Sequence, residues 1–471
     1  MNSVVSVGRR PWVFLDPADV KRILYLAVPA QLALLTQTGV NLADTYFIGM
    51  LPEPERSDGQ AMLSFALALL WAVGGFLSAI SVGTQAMVAR REGRGDSQAS
   101  GLVLANALVL AVISSSIATV LCWKLVPLVF SLASNDPAYV RLGTAYSRWR
   151  FVGLVSMVAT AAYKAFFDGT GRTYVHFVAA VVMNLVNVLL CWMLVFGHMG
   201  LPHMGVEGAG LAAAISSWVG LVVMIGWSMR RRERTRYRAY RRRVLTPAAS
   251  WQLAKLSVPS GVATTVVMTG FILFIHIVGL FDRQDIAAGA TESIHGAATT
   301  IIINVLSLTF FSCMAFGVAT ATLVSSSLGA RDPSSAERYA WSSVKIGCIM
   351  FAVVGALEIA FPGQFIGFFN HSPDVIAVGR SSMRLMGACG PAIAAGMILT
   401  QALFGAGNPR FVMQVEMLLH FFVLLPLAYL FGVVLHFQLI GVWSAAAVYV
   451  LFLTMIMAVK FKSGTWKSIS I

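Results

Sequence analysis

The sequence predicts an all-α integral membrane protein: twelve transmembrane helices in two six-helix lobes, related by a pseudo-two-fold axis along the membrane normal. Three observations lead there. Of 471 residues, 58% are hydrophobic and only 11% charged, where soluble domains carry about a quarter charged residues. A window of about 19 residues finds twelve apolar stretches of spanning length. The two halves of the chain also repeat short motifs at matching distances, which a single bundle would not require.

The first six stretches fall near 22–48, 60–88, 100–124, 142–167, 174–196 and 208–229. The second six fall near 252–280, 294–325, 340–361, 380–403, 411–432 and 439–460. Basic residues alternate between their connections. Arg90, Arg91, Arg94, Arg172, the run from Arg230 to Arg243, Arg331, Arg338 and Arg410 follow the even-numbered spans, and both tails are basic (Arg9, Arg10, Lys460, Lys467). The opposite connections hold most of the loop acids, among them Glu53, Glu55, Asp136 and Asp285. The positive-inside rule then places both termini and the central basic linker in the cytoplasm. The expected organisation is a tail (1–21), an N-lobe (22–230), the linker (231–251), a C-lobe (252–460) and a second tail (461–471). Met1 to Lys21 has no apolar core before a small-residue site, so the first span is expected to serve as its own insertion signal.

The repeat is specific. Leu26-Ala-Val-Pro29 is echoed by Leu256-Ser-Val-Pro259. Asp96, closing Gly-Arg-Gly-Asp, and Asp332, closing Gly-Ala-Arg-Asp, lie 236 positions apart, as do Arg172 and Asn408, which close two further matching glycine-rich turns. Six spans per half is an even number, so both halves insert in the same orientation. That is a parallel repeat, and transporters built this way place substrate between the halves and rock one against the other.

The most informative stretch is Ala27 to Met50. It is of spanning length, yet it carries Asp44 well inside. A charge in hydrocarbon costs at least about 2.5–3.5 kcal/mol, so it must face protein or a water-filled cavity. Gln37, Asn41 and Asp44 follow at i, i+4, i+7 and share one helical face. Pro29 removes a backbone donor near the start of this helix and can bend it, as Pro259 can in the second half. Asn184, Asn187 and Cys191 share a face of the fifth span by the spacing i, i+3, i+7. The expected site is an N-lobe cavity built from Asp44, Gln37, Asn41, Asn184, Asn187 and Cys191, with Glu292 near the external end of span eight as a further candidate. The competing reading makes Asp44 a structural acid paired with a neighbouring helix and makes the asparagines interhelical hydrogen bonds. Arg148 and Arg150 in span four demand an acid partner on another helix.

These residues carry a family resemblance. Pro29, Asn-Leu-Ala-Asp44-Thr-Tyr-Phe-Ile-Gly49, the Gly-Arg-Gly-Asp96 and Gly-Ala-Arg-Asp332 turns, Phe-Asp-Gly-Thr-Gly-Arg-Thr173, Asn187 and Gly208-Ala-Gly-Leu-Ala-Ala resemble the multidrug and toxic compound extrusion (MATE) family of the MOP flippase superfamily, from about 22 to 460. The resemblance implies secondary active export of organic cations or other amphiphiles, antiported against H⁺ or Na⁺ by alternating access. It implies that Asp44 is the ion- or proton-coupling acid, with Na⁺ or H⁺ bound near it and no metal or organic cofactor. One branch of the family has an aspartate four residues after Asn187, where this chain has Cys191. Another has a glutamate on the seventh helix, where this chain has Val266-Val267-Met268, and an aspartate on the tenth, where it has Ile393. A second family acid is absent from each of these places.

The expected setting is a monomer in a bacterial inner membrane, with small amphiphilic or cationic substrates as partners. The net charge of +14 is concentrated in loops on one side, so it points to topology, with anionic lipid as a further partner for the 230–243 run, and not to nucleic acid. The five cysteines lie far apart and form no disulfide framework. No Walker A motif or HExxH cluster occurs, so neither ATP hydrolysis nor a metallohydrolase fits. The alternative within the superfamily is a flippase for a lipid-linked substrate, for which Arg148, Arg150 and Lys164 are the hints.

Overall fold

The computed structural model describes residues 15–53, 55–240, 245–287 and 293–471, with the backbone alone at 37–39 and 41. Among the described residues it is helical throughout, without a strand. Eight helices come first: α1 (Pro17–Gly49), α2 (Glu55–Ser78), α3 (Ile80–Gly93), α4 (Ser97–Ala133), α5 (Pro137–Val152), α6 (Leu154–Gly169), α7 (Tyr174–Phe196) and α8 (Gly205–Ser228). A short α9 (Arg231–Tyr237) connects them to α10 (Pro247–Ala287), α11 (Ile294–Gly329), α12 (Pro333–Ala360), α13 (Pro362–Phe369), α14 (Pro373–Gly405), α15 (Pro409–Leu419), α16 (Leu425–Tyr429) and α17 (Gln438–Lys462).

Among the described residues ten helical stretches are long and apolar enough to cross a membrane, and the bent pair α5–α6 makes eleven. With 33 residues, α1 is about 50 Å long at 1.5 Å per residue and completes the twelve rods. Two expected spans are not straight. Span two passes from α2 to α3 at Ala79, and span four turns by 40° at Gly153. Gly153 lies so close to α8 that an added Cβ would stand 3.2 Å from Ala214 Cα. Span eleven continues beyond α15 through two π-helical turns, His420–Leu424 and Leu430–Val434.

The repeat motifs acquire a structural meaning. Asp96 and Asp332 are N-caps, accepting the backbone N–H of Ala99 at 2.9 Å and of Ser335 at 3.0 Å. Each satisfies a donor that the first helical turn leaves open. A Cβ on Gly93 would lie 1.9 Å from Ser326 O, and one on Gly329 would lie 2.1 Å from Arg90 O. Gly93 and Gly329 are 236 positions apart, as are Arg90 and Ser326. The reciprocal contact between α3 and α11 is therefore the pseudo-two-fold relation written in two glycines, and a larger residue at either would separate the lobes.

The lobes, α1–α8 and α10–α17, are further tied at this basic end. Gln85 donates to Val318 O at 2.8 Å and Thr322 Oγ1 at 2.9 Å, and Ser325 Oγ donates to Ala86 O at 2.7 Å. Buried Arg90 donates to Ala406 O and Ile469 O. The C-terminal residues fold back onto the body: Trp466 stacks on Phe461 and Lys467 pairs with Glu337 at 2.6 Å. The basic run is likewise partly built in. Glu233 of α9 pairs with Arg172, and Arg236 reaches Glu92 at 2.9 Å. Residues 241–244 of that run, and Arg9 and Arg10, lie outside the described residues.

Replacing Asp332 by Ala is expected to destabilise the protein by about 1 kcal/mol, read as a lower unfolding temperature in detergent, with Asp332→Asn close to wild type because Asn caps equally well. Hydrogen bonds from Ser334 and Ser335 hold the Asp332 carboxyl down at about 2, below the ordinary value of about 3.9. Its contribution is therefore complete above about pH 4 and lost as pH falls through about 2.

Candidate functional site

Helix α1 bridges the lobes. Its early residues Ile23, Leu26 and Ala27 pack in a C-lobe cluster with Phe316, Leu323 and Ala402, while Phe47 and Ile48 belong to the N-lobe core with Phe166 and Val206. Asp44 lies in the N-lobe part of the helix and is completely buried. The sequence demanded partners for it, and two helices, α5 and α7, supply them.

From α5, the Tyr146 hydroxyl donates to Asp44 Oδ2 at 2.6 Å, and the Arg150 guanidinium stands 3.7 Å from the same oxygen. Tyr146 and Arg150 are four residues apart, hence on one helical face, and the guanidinium lies over the Tyr146 ring at 5.8 Å. From α7, Cys191 Sγ donates to Asp44 Oδ1 at 3.7 Å. Asn187, one turn earlier on the same face, is fully buried beside the carboxylate without a well-formed hydrogen bond on either amide atom. The carboxylate thus has a cation, a short hydroxyl hydrogen bond and a thiol around it, which is how a buried charge is tolerated.

The other expected residues fall differently. Asn184 donates to the backbone oxygens of Thr36 and Ala180 and ties α7 to α1 rather than to Asp44. The side chains of Gln37 and Asn41, and the whole of Glu292, lie outside the described residues. Pro29 and Pro259 sit inside α1 and α10, each of which remains one continuous helix. Glu416 accepts from the Tyr449 hydroxyl at 2.8 Å and faces His420, so its partners lie on its own span and on the neighbouring α17. Arg148 stacks over Trp123 and Lys164 pairs with Asp168 at 2.9 Å, which leaves Arg150 as the flippase hint that faces the site. Glu358 is buried in the C-lobe against Gly387, with one carboxylate oxygen unpartnered.

A cavity of about 100 Å³ opens beside this cluster, between α1, α2, the α5–α6 bend, α7 and α8. Val40, Trp71, Met157 and Met183 give it apolar walls, and Arg150 and His176 are its ionisable members. His176 is buried with both ring nitrogens unpartnered. Tyr146 and His176 escaped sequence reasoning: a tyrosine in a membrane helix is unremarkable, and a histidine one turn from a span's end reads as interfacial. The i, i+4 relation of Tyr146 to the conspicuous Arg150 was the available signal. Among the described residues no group of three or more His, Cys, Asp and Glu gathers as a metal site.

The MatE family model matches residues 29–193 and 259–430, one segment in each lobe. The chain belongs to the MatE family. Membership makes it a multi-pass membrane transporter rather than an enzyme. It is similar to the probable multidrug resistance protein NorM of Thermotoga maritima, with 25% identity over 460 residues, covering 96% of this chain and 94% of that protein. It is similar to the multidrug resistance protein PmpM of Pseudomonas aeruginosa, with 24% identity over 429 residues, covering 89% and 86%. The fold matches a crystal structure of MATE in the bent conformation, with a TM-score of 0.84 at 18% identity over 94% of this chain and 95% of that one. An outward-facing multidrug resistance MATE transporter of the MOP superfamily matches with a TM-score of 0.83, also at 18% identity, over 96% and 97%.

Removing one member of the buried cluster should reveal its weight. Arg150→Gln is expected to cost about 3–5 kcal/mol by stranding a buried carboxylate, and Tyr146→Phe about 1–3 kcal/mol. Thermal unfolding of the detergent-purified variants checks both, and losses below about 0.5 kcal/mol would contradict the pairing.

Proposed function

We propose that this transporter exports small amphiphilic compounds, organic cations among them, by antiport through alternating access. Asp44 is its coupling acid. The observation that carries this reading is a fully buried carboxylate on a helix that packs into both lobes, beside an apolar cavity. Charge state at Asp44 can then bias how α1 sits between the lobes, and an ion shifts such an equilibrium only by its differential affinity for the two states. The names of the relatives support multidrug compounds as the substrates.

The surroundings of Asp44 favour H⁺ over Na⁺ as the driving ion. A hard cation such as Na⁺ needs several oxygen ligands, whereas among the described residues the carboxylate's neighbours are a guanidinium, a thiol, a single hydroxyl and the Asn187 amide. In the same reading the chain is a monomer of the bacterial inner membrane with N-lobe 22–230, linker 231–251 and C-lobe 252–460. Both termini face the cytoplasm. Arg231, Arg234 and Arg238, which line one cleft on α9, meet anionic headgroups there.

The test is efflux of a fluorescent organic cation from proteoliposomes under a pH gradient alone or a Na⁺ gradient alone. The pH gradient should drive export in the wild type and not in Asp44→Asn. Export driven by Na⁺ alone would overturn the choice of ion, and export unaffected by Asp44→Asn would overturn the coupling site.

A further inference from the structure

We propose that Arg150 relays the protonation of Asp44 into the N-lobe cavity as a change of charge, so that the charge of the bound compound sets the sign of its coupling to protons. Cationic amphiphiles are expelled by the proton, whereas anionic amphiphiles bind together with it. The inference rests on the reading of Asp44 as the proton site and adds to it a residue that determines specificity.

The geometry places Arg150 between two environments. One side of its guanidinium stands 3.7 Å from Asp44, and the residue also lines the cavity. Asp44 itself is completely buried and does not belong to the lining. Among the described residues none of those lining the cavity carries a carboxylate. Among the described residues Arg150 is the group that both pairs with Asp44 and lines the cavity. With Asp44 ionised, the two form a neutral pair, and the cavity offers apolar walls to a neutral or weakly cationic amphiphile. With Asp44 protonated, the guanidinium keeps its charge, since arginine does not deprotonate in proteins, and that charge is left facing the ligand. The step is a proton transferred from hydronium to the Asp44 carboxylate: an O–H bond of the hydronium breaks, one forms on Asp44, and water is left.

The remaining groups do not cancel this change. Among the described residues Tyr146, Cys191 and Asn187 also stand around Asp44, all uncharged acceptor or donor groups in this arrangement. At the far end of the cavity His176 has Lys164 as its charged neighbour, and Lys164 is held by Asp168. Appearance of a unit charge about 8 Å from a ligand, at an effective dielectric near 20, alters affinity by roughly thirty-fold. A pH titration would act on every ionisable group of the protein at once. Asp44→Asn at one fixed pH is the cleaner stand-in for the protonated acid.

The experiment is equilibrium binding of two probes of matched shape, 2-naphthylacetate and (2-naphthylmethyl)trimethylammonium, to the full chain in lipid nanodiscs, followed by naphthalene fluorescence. Asp44→Asn should weaken the ammonium and tighten the carboxylate, each by roughly thirty-fold. In the double variant Asp44→Asn, Arg150→Gln the carboxylate gain should vanish. In Asp44→Asn, Arg150→Lys, which keeps the charge, it should persist. Both probes moving in the same direction in Asp44→Asn, or a carboxylate gain that survives Arg150→Gln, would overturn the relay while leaving the exporter reading intact. Binding of neither probe to the wild type would overturn the relay together with the cavity as a substrate site. Opposed responses combined with absent pH-driven efflux would support the relay and remove the exporter reading instead.

Discussion

The burial of one carboxylate organises the N-lobe. An isolated carboxylate taken out of water is too costly to persist, and Asp44 persists because Tyr146, Arg150 and Cys191 converge on its two oxygens. These contacts fix the rotation of α1 against α5 and α7. They also explain why α5 carries an arginine deep in a span. The same pair positions the guanidinium at the wall of the cavity, so what stabilises the acid also defines the chemistry that a ligand meets.

The second constraint is the close approach of the lobes at the basic end. Gly93 against Ser326 and Gly329 against Arg90 leave no room for a Cβ on either side. Gln85, Ser325 and Arg90 add hydrogen bonds across the same seam. Because α1 begins in a C-lobe cluster and ends in the N-lobe core, rocking of the lobes must move or bend it. In the proposed cycle the charge state of Asp44 and the seam at the basic end are thus two ends of one mechanical linkage, and Pro29 stands between them.

Most of the fold was legible because it follows from quantities the sequence displays directly. Hydropathy gives the twelve rods and the repeat gives the two lobes. The breaks at Ala79 and Gly153 were not legible, since an apolar window passes over a bend that keeps its residues in hydrocarbon. The meaning of the repeated Gly-x-x-Asp turns was only half legible. Their order marked the repeat, but only the structure shows that Asp96 and Asp332 are caps and that the neighbouring glycines are a contact between lobes. At the site, Asp44 declared itself by cost, and Arg150 declared itself as an unmatched charge. That the two answer each other depends on which helices are neighbours, which no local pattern encodes. Where the resemblance implies a second acid in one branch of the family, Cys191 contributes a thiol to the Asp44 cluster. The N-lobe site thus pairs a carboxylate with a guanidinium rather than with a second acid.

The central claim is that Asp44 and Arg150 act as one unit. A double-mutant cycle of Asp44→Asn, Arg150→Gln and their combination, read by unfolding in a single detergent, tests it most directly. If the two are a unit, removing the charge of Asp44 rescues the chain that lacks Arg150, and the double variant is more stable than Arg150→Gln alone, with an interaction energy of about 1–3 kcal/mol. If the two losses simply add, the pair is not energetically coupled and the account fails at its foundation.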